Sequence, residues 1–173
     1  MKHVFDLDLT LWDCYNKHGD PIWAKQMVWP YHRQVTTNDI LTDDVYSFCS
    51  LRKGVKEYLK HLKGEGHQIG FLSAGAYHSM PYSQQPSVRM LKMFGIYNDF
   101  DYIQVLAYKS FNKAETLNRI NQPIIFYDDN QDVLNSVRDL KHVTSIDSKE
   151  ILDWSDLIGI DYDRYIIRSP ERL

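Results

Sequence analysis

The sequence holds little of what marks the unusual protein classes. Among its 173 residues there are 2 cysteines, 8 glycines and 6 prolines, too few for a disulfide framework, a collagen-like repeat or a low-complexity tract. No sign of charge dominates: 20 Lys and Arg stand against 23 Asp and Glu, a formal charge of −3. Neutralising many phosphates takes a basic stripe or tail, so no bulk nucleic-acid binding is expected. No segment approaches the ~20 apolar residues that span a bilayer, and the opening Met-Lys-His-Val-Phe-Asp turns acidic at once. The expectation is therefore a soluble, cytoplasmic protein with no membrane partner. Cys14 and Cys49 have neither a metal-ligand spacing nor a dense pattern, which makes reduced thiols the simpler reading and a Cys14–Cys49 disulfide the alternative.

What remains is an ordinary globular composition, 43% hydrophobic and 25% charged. A chain of this length is one domain by default, residues 1–173, and buries roughly 70% of its unfolded surface without needing metal or disulfide staples. Its oligomeric state is open, a monomer being admissible.

Along the chain, short apolar runs alternate with amphipathic ones. Val4-Phe5 leads into Asp6-Leu7-Asp8-Leu9-Thr10, a buried strand that breaks into a polar loop. Val55, Tyr58, Leu59 and Leu62 then recur at helical spacing before Gly64 and Gly66. Gln68 to Leu72 reads as a strand delivered into Ser73, and Ser87 to Phe94 as a helix stopped by Gly95. Tyr102 to Leu106, Pro123 to Tyr127 and His142 to Ile146 are further strands. Between them lie a helix over Asn112 to Ile120, capped by Asn112, and one carrying Val133, Val137 and Leu140. Such alternation predicts an α/β fold, a Rossmann-like doubly wound parallel sheet with helices on both faces. Two segments stand outside it. Residues 13–50 hold Tyr15, Trp23, Trp29, Tyr31, His32, Tyr46 and Phe48 without a clean period and read as an inserted loop or hairpin, its aromatics forming a satellite core rather than a substrate platform. The C-terminal extension, about 147–173, carries a short helix from Ser148 to Trp154 and then Tyr162 and Tyr165, which pack on the sheet or on a second chain.

In open α/β sheets ligands bind beyond the carboxyl ends of the strands. Here those ends emit Asp6 and Asp8, Ser73, Lys113 at a loop–helix junction, and Asp128 with Asp129. Four carboxylates repel one another unless a cation neutralises them, and hard oxygen donors suit Mg²⁺. A hydroxyl from Ser73 and a point charge from Lys113 add a cradle for phosphoryl oxygens. Together the residue types describe phosphoryl transfer. Taken singly each has a plainer reading: Ser73 as a strand end, Lys113 as a first-turn lysine, Asp129 and Asn130 as helix caps, and Cys14 as a small buried residue.

The order of these motifs resembles that of the haloacid dehalogenase superfamily of phosphohydrolases. Asp6-Leu7-Asp8-Leu9-Thr10 matches its DxDxT signature, Ser73 the second motif, Lys113 the third and Asp128-Asp129 the acidic fourth. The wording around Val4 to Trp12 and Phe126 to Asn130 is most similar to its magnesium-dependent phosphatase subgroup, which has a compact cap. Ala74 stands where that subgroup has Arg, so its substrate preference does not carry over. The resemblance covers residues 3–146. It implies Asp6 as the nucleophile that forms an aspartyl-phosphate and Asp8 as general acid and base. It also implies Ser73 and Lys113 as phosphate-binding residues and a Mg²⁺ held by Asp6, the Asp8 carbonyl and Asp129. Asp128 is a further ligand or a partner behind the ligands, and Thr10 ties down the loop. The expected activity is Mg²⁺-dependent phosphomonoester hydrolysis, with a phosphorylated small molecule such as a sugar phosphate, or a phosphorylated residue, as substrate. A phosphomutase of the same superfamily is the alternative. From a different class, a phospho-accepting receiver module places its acid pair on the first strand and its Lys last, the reverse of the order here; a phosphate-binding protein without turnover is the third reading.

Overall fold

The structure, a computed structural model, describes residues 1–22, 32–42, 47–74, 83, 85–106 and 112–162. The strands in chain order are β1 (Lys2–Phe5), β2 (Trp12–Asn16), β3 (Pro21–Ile22), β4 (His32–Thr36), β5 (Asp39–Thr42), β6 (Ser47–Leu51), β7 (Gln68–Ala74), β8 (Tyr102–Leu106), β9 (Ile124–Asp128) and β10 (Val143–Asp147). The helices are α1 (Val55–Gly64), α2 (Pro86–Met93), α3 (Lys113–Asn118) and α4 (Gln131–Val137). The fold is α/β, with a parallel sheet of order β10-β9-β1-β7-β8 and a separate antiparallel sheet.

Alternate residues of the parallel strands feed two apolar clusters. Phe5, Ile69, Phe71, Ile125 and Tyr127 pack with Tyr58, Leu59 and Leu62 of α1 and with Val88 and Leu91 of α2. Val4, Leu72, Ile124 and Phe126 pack with Leu117 of α3, Val137 of α4 and Val143 of β10. Strands buried on both sides read as continuous apolar runs, which is why these were visible in the sequence. Each fully buried side chain of this size contributes roughly 1.5–3 kcal/mol. The chain leaves β1 toward β7 and β8 and then returns to β9 on the other side of β1, so strand order reverses between β1 and β9. Their carboxyl ends flank that crevice.

Residues 13–50 are not a loop or a lone hairpin. From Trp12 to Leu51 the described residues form an antiparallel sheet of order β3-β2-β6-β5-β4. Its inner face buries Cys14, Ile40 and Cys49, whereas Tyr15, Val35 and Phe48 are 40%, 56% and 40% exposed. With apolar residues on both faces, the period-2 signal cancels in the sequence. Tyr15 and Phe48 sit directly opposite each other on the outer side instead of in a satellite core. Trp23, Trp29, Tyr31, Tyr46 and the His32 side chain lie outside the described residues.

The cysteines also depart from expectation. Register pairs Cys14 of β2 with Cys49 of β6, and the two form a disulfide rather than free thiols. Only the pairing of two strands far apart in sequence brings them together, which composition does not reveal. The helix expected from Ser148 to Trp154 is two 3₁₀ turns, Ser148–Glu150 and Trp154–Leu157. Asp147 and Asp153 each accept from a backbone N–H two residues on, which starts a new short turn, and extended Ile151 separates them. Tyr162 packs on the chain's own core, its hydroxyl 2.7 Å from that of Tyr58; Tyr165 lies outside the described residues.

The disulfide closes a loop with a sequence separation of 35. Cys14→Ser is expected to lower unfolding free energy by about 3 kcal/mol, read from urea denaturation. A reductant should lower the wild-type midpoint toward the variant's and leave the variant's unchanged; equal midpoints for wild type and variant without reductant would show that the bridge contributes nothing.

Candidate functional site

The site begins where β1 gives out. Asp6 N–H still donates to the Tyr127 carbonyl (2.8 Å), which carries β1 alongside β9 one residue further. The chain then turns sharply: Thr10 and Leu11 N–H both donate to the Leu7 carbonyl, and Leu9 N–H to that of Trp12. Leu9 adopts φ 62°, the one positive-φ non-glycine among the described residues. A branched side chain in the left-handed region is strained, so the surrounding bonds must hold the turn.

This turn sends Asp6 and Asp8 into different surroundings. Asp6 is buried, one oxygen accepting from Lys113 Nζ (2.6 Å) and the other from Thr10 Oγ1 (3.2 Å). Asp8 is half-buried and accepts from the indole N–H of Trp12 (2.9 Å), one helical turn along the sequence. Lys113 opens α3 behind the Asn112 cap, whose side chain accepts from Glu115 N–H. A cation in a first helical turn opposes the helix dipole. Here two carboxylates hold it, since Nζ also lies 2.6 Å from Asp128 Oδ2 at the end of β9. Asp128 Oδ1 accepts from Asn130 N–H, and Asn130 caps α4 through Asp132 and Val133 N–H. Asp129 is not the cap; its Oδ1 accepts from Thr10 Oγ1 at 3.4 Å.

Asp6, Asp128 and Asp129 thus present oxygens within 4.8 Å of one another. Burial, and after it the charge of Asp6, raises Asp128 to about 6 even though Lys113 and Asn130 pull the other way. Burial, Asp6 and Asp128 together push Asp129 up to about 7. Burial alone would depress the Lys113 ammonium, but Asp6 and Asp128 outweigh it and raise its pKa. Three carboxylates gather around one ammonium that pairs with two of them, and the surplus shows as the raised pKa of Asp129. A set of close, hard oxygen donors with uncompensated charge fits a divalent cation of the Mg²⁺ type.

The remaining expected residue, Ser73, is buried near the end of β7, two positions beyond Phe71, the register partner of Phe5. It therefore lies on the strand next to β1, two residues past the last β1–β7 pair, and among the described residues its hydroxyl does not join the hydrogen bonds that link Asp6, Thr10, Lys113, Asp128 and Asp129. Three residues that sequence reasoning did not single out also belong here. Ser148 Oγ lies 3.1 Å from Thr10 Oγ1, the Trp12 indole holds Asp8, and Arg52 reaches the Thr10 carbonyl. Only Trp12 left a trace, its spacing of four from Asp8. No model of a known protein family matches the chain, and neither does any curated protein.

The raised carboxyls predict a pH dependence. A carboxyl whose folded pKa exceeds its unfolded value, near 3.9 for Asp, adds stability at low pH and loses it as pH rises through the folded pKa. In EDTA the contribution of Asp128 and Asp129 to the urea midpoint should therefore fall between about pH 4 and pH 7, against the opposite rise that neutral, buried His3 contributes between about pH 3 and its unfolded pKa. Mg²⁺ should flatten the profile, and Asp129→Asn should remove much of the slope. Parallel wild-type and Asp129→Asn profiles without metal would refute the assignment of surplus charge to this cluster.

Proposed function

We propose that this chain is a Mg²⁺-dependent phosphomonoester hydrolase of the haloacid dehalogenase type. In this reading the parallel sheet is a Rossmann-like, doubly wound core and the antiparallel sheet a small cap. The single observation that carries it is the Lys113 ammonium 2.6 Å from both Asp6 and Asp128, with Asp129 alongside, at the carboxyl ends of β1 and β9. Buried carboxylates sharing one lysine at a strand-order reversal are arranged for an anionic ligand plus a cation, not for a stable core.

Asp6 attacks phosphorus and the ester oxygen leaves, giving an aspartyl-phosphate on Asp6; water then attacks that phosphorus and releases inorganic phosphate. Lys113 holds one Asp6 oxygen in place and offsets charge on the transferring group. Asp8, half-buried and fixed by the Trp12 indole, gives its proton to the leaving oxygen and takes one from water in the second step. Thr10 orients the second Asp6 oxygen. Asp6, Asp129 and Asp128 would hold Mg²⁺, which supplies charge neutralisation that lets a phosphate dianion approach an acidic site. Ser73 contributes a hydroxyl to the phosphoryl oxygens. Substrates are phosphorylated small molecules, sugar phosphates among them, or phosphorylated residues.

The test is p-nitrophenyl phosphate turnover. With Mg²⁺ the protein should release p-nitrophenolate, and EDTA should stop it. Asp6→Asn should abolish turnover with the fold retained by circular dichroism, and Asp8→Asn should slow it by ~10²–10⁴-fold. Undiminished turnover in Asp6→Asn would remove the nucleophile, and with it the reading.

A further inference from the structure

We infer that Arg52 is a positioning residue for this site, holding Thr10 from behind so that Thr10 can orient Asp6 and Asp129; the inference rests on the reading of that site given above. Arg52 follows β6 and precedes α1, where the inserted sheet rejoins the frame. Its backbone N–H donates to the Leu11 carbonyl (2.8 Å). One guanidinium nitrogen, Nη1, donates to the carbonyls of both Thr10 and Ser148, each at 2.9 Å. The other, Nη2, donates to the carbonyl of Ile151. The Trp154 ring lies 6.0 Å from the guanidinium carbon, and the Arg52 side chain is 13% exposed.

Two of the three carbonyls gathered by Arg52 belong to Thr10, whose hydroxyl meets the carboxylates, and to Ser148, whose hydroxyl meets that of Thr10. Thr10 and Ser148 meet through their hydroxyls at 3.1 Å, and Thr10 Oγ1 continues to Asp6 Oδ2 and Asp129 Oδ1. A single side chain therefore fixes the rear of a hydrogen-bonded chain whose front touches the proposed nucleophile. The planar fork of arginine presents several donors in fixed directions, which a lysine ammonium does not reproduce. Among the described residues the carboxylate paired with it, Asp13, is 4.0 Å away, so Arg52 serves the three carbonyls as a donor and not a tight ion pair. The turn it braces contains Leu9 at φ 62°, a conformation that needs outside restraint.

Arg52→Met and Arg52→Lys test the assignment by two measurements. Amide hydrogen exchange of Thr10 and Leu11, whose N–H groups close the turn on Leu7, is compared with that of β9. Arg52→Met should speed exchange at Thr10 and Leu11 by about tenfold with β9 unchanged, a local opening rather than global unfolding. Turnover of p-nitrophenyl phosphate with Mg²⁺ should lose ~10²-fold in kcat at nearly constant KM, because the reacting carboxylate is misplaced and substrate binding is not. Arg52→Lys should fall between wild type and Arg52→Met in both. Unchanged exchange at Thr10 and Leu11, a rise spread evenly over the sheet, or a loss confined to KM would overturn the inference. If the wild type shows no turnover, the phosphatase reading falls, and the exchange pattern alone decides whether Arg52 braces the turn.

Discussion

The buried ammonium of Lys113, shared by Asp6 and Asp128, sets the conditions the rest of the site must meet. Taking three charges out of water costs several kcal/mol for each ion, and the cost is offset only where geometry leaves no lone pair idle. Both contacts to Nζ are 2.6 Å, the outer oxygen of Asp128 accepts from Asn130 N–H, and that of Asp6 from Thr10. Such a triad forms only if two strands end at the same level. Phe5 and Tyr127, the residues just before Asp6 and Asp128, are register partners and stack with ring centres 4.4 Å apart and planes 4° off parallel. Packing on one face of the sheet thereby fixes the electrostatics at its end.

The same face explains why the interior tolerates so much polarity. Tyr127 reaches from its stack to His3 Nδ1 (2.9 Å) and to the Tyr58 hydroxyl (2.6 Å), which continues to Tyr162. Burial, then His67 and the N-terminus, depresses His3 to about 3, so the ring is neutral and the network carries no charge. This neutral network ties α1, β1, β9 and the C-terminal segment into one arrangement, although His3 Nε2 is buried without a hydrogen-bond partner among the described residues. The inserted sheet is tied to the site at both of its ends. It starts at Trp12, whose indole holds Asp8, and returns at Arg52, which holds Thr10; between them the pairing of β2 with β6 and the Cys14–Cys49 bridge keep those ends adjacent.

How much of this was legible in the sequence follows from which interactions leave a local pattern. The strands Val4-Phe5, Ile69 to Leu72 and Ile124 to Tyr127 are buried on both sides, so they appear as apolar runs, and the residues they emit mark the candidate site. Val55, Tyr58, Leu59 and Leu62 announce α1 because a single face is buried. The antiparallel sheet did not show, since Cys14 and Cys49 face in while Tyr15 and Phe48 face out, all of them apolar. Nor did Arg52 or Ser148, whose roles consist of bonds to backbone carbonyls or to a hydroxyl contributed by distant segments. Motif order brought Lys113 to these strand ends, but not its sharing between Asp6 and Asp128: nothing near it in sequence says that it will bridge two strands rather than sit at an exposed helix start.

The strained turn after β1 gives Asp6 and Asp8 different surroundings. In a continued strand, residues two apart point to the same side and meet the same surroundings. With the turn closed on Leu7 and Leu9 held at φ 62°, Asp6 instead faces Lys113 and the other carboxylates, and Asp8 faces the Trp12 indole in a half-buried position. In the proposed hydrolysis the nucleophile is the carboxylate beside the fixed cation, and the proton-transfer group is the one away from it. A single backbone distortion of about 1–3 kcal/mol separates two chemically identical side chains into those environments. The bracing by Thr10, Ser148, Trp12 and Arg52 is what lets the turn persist.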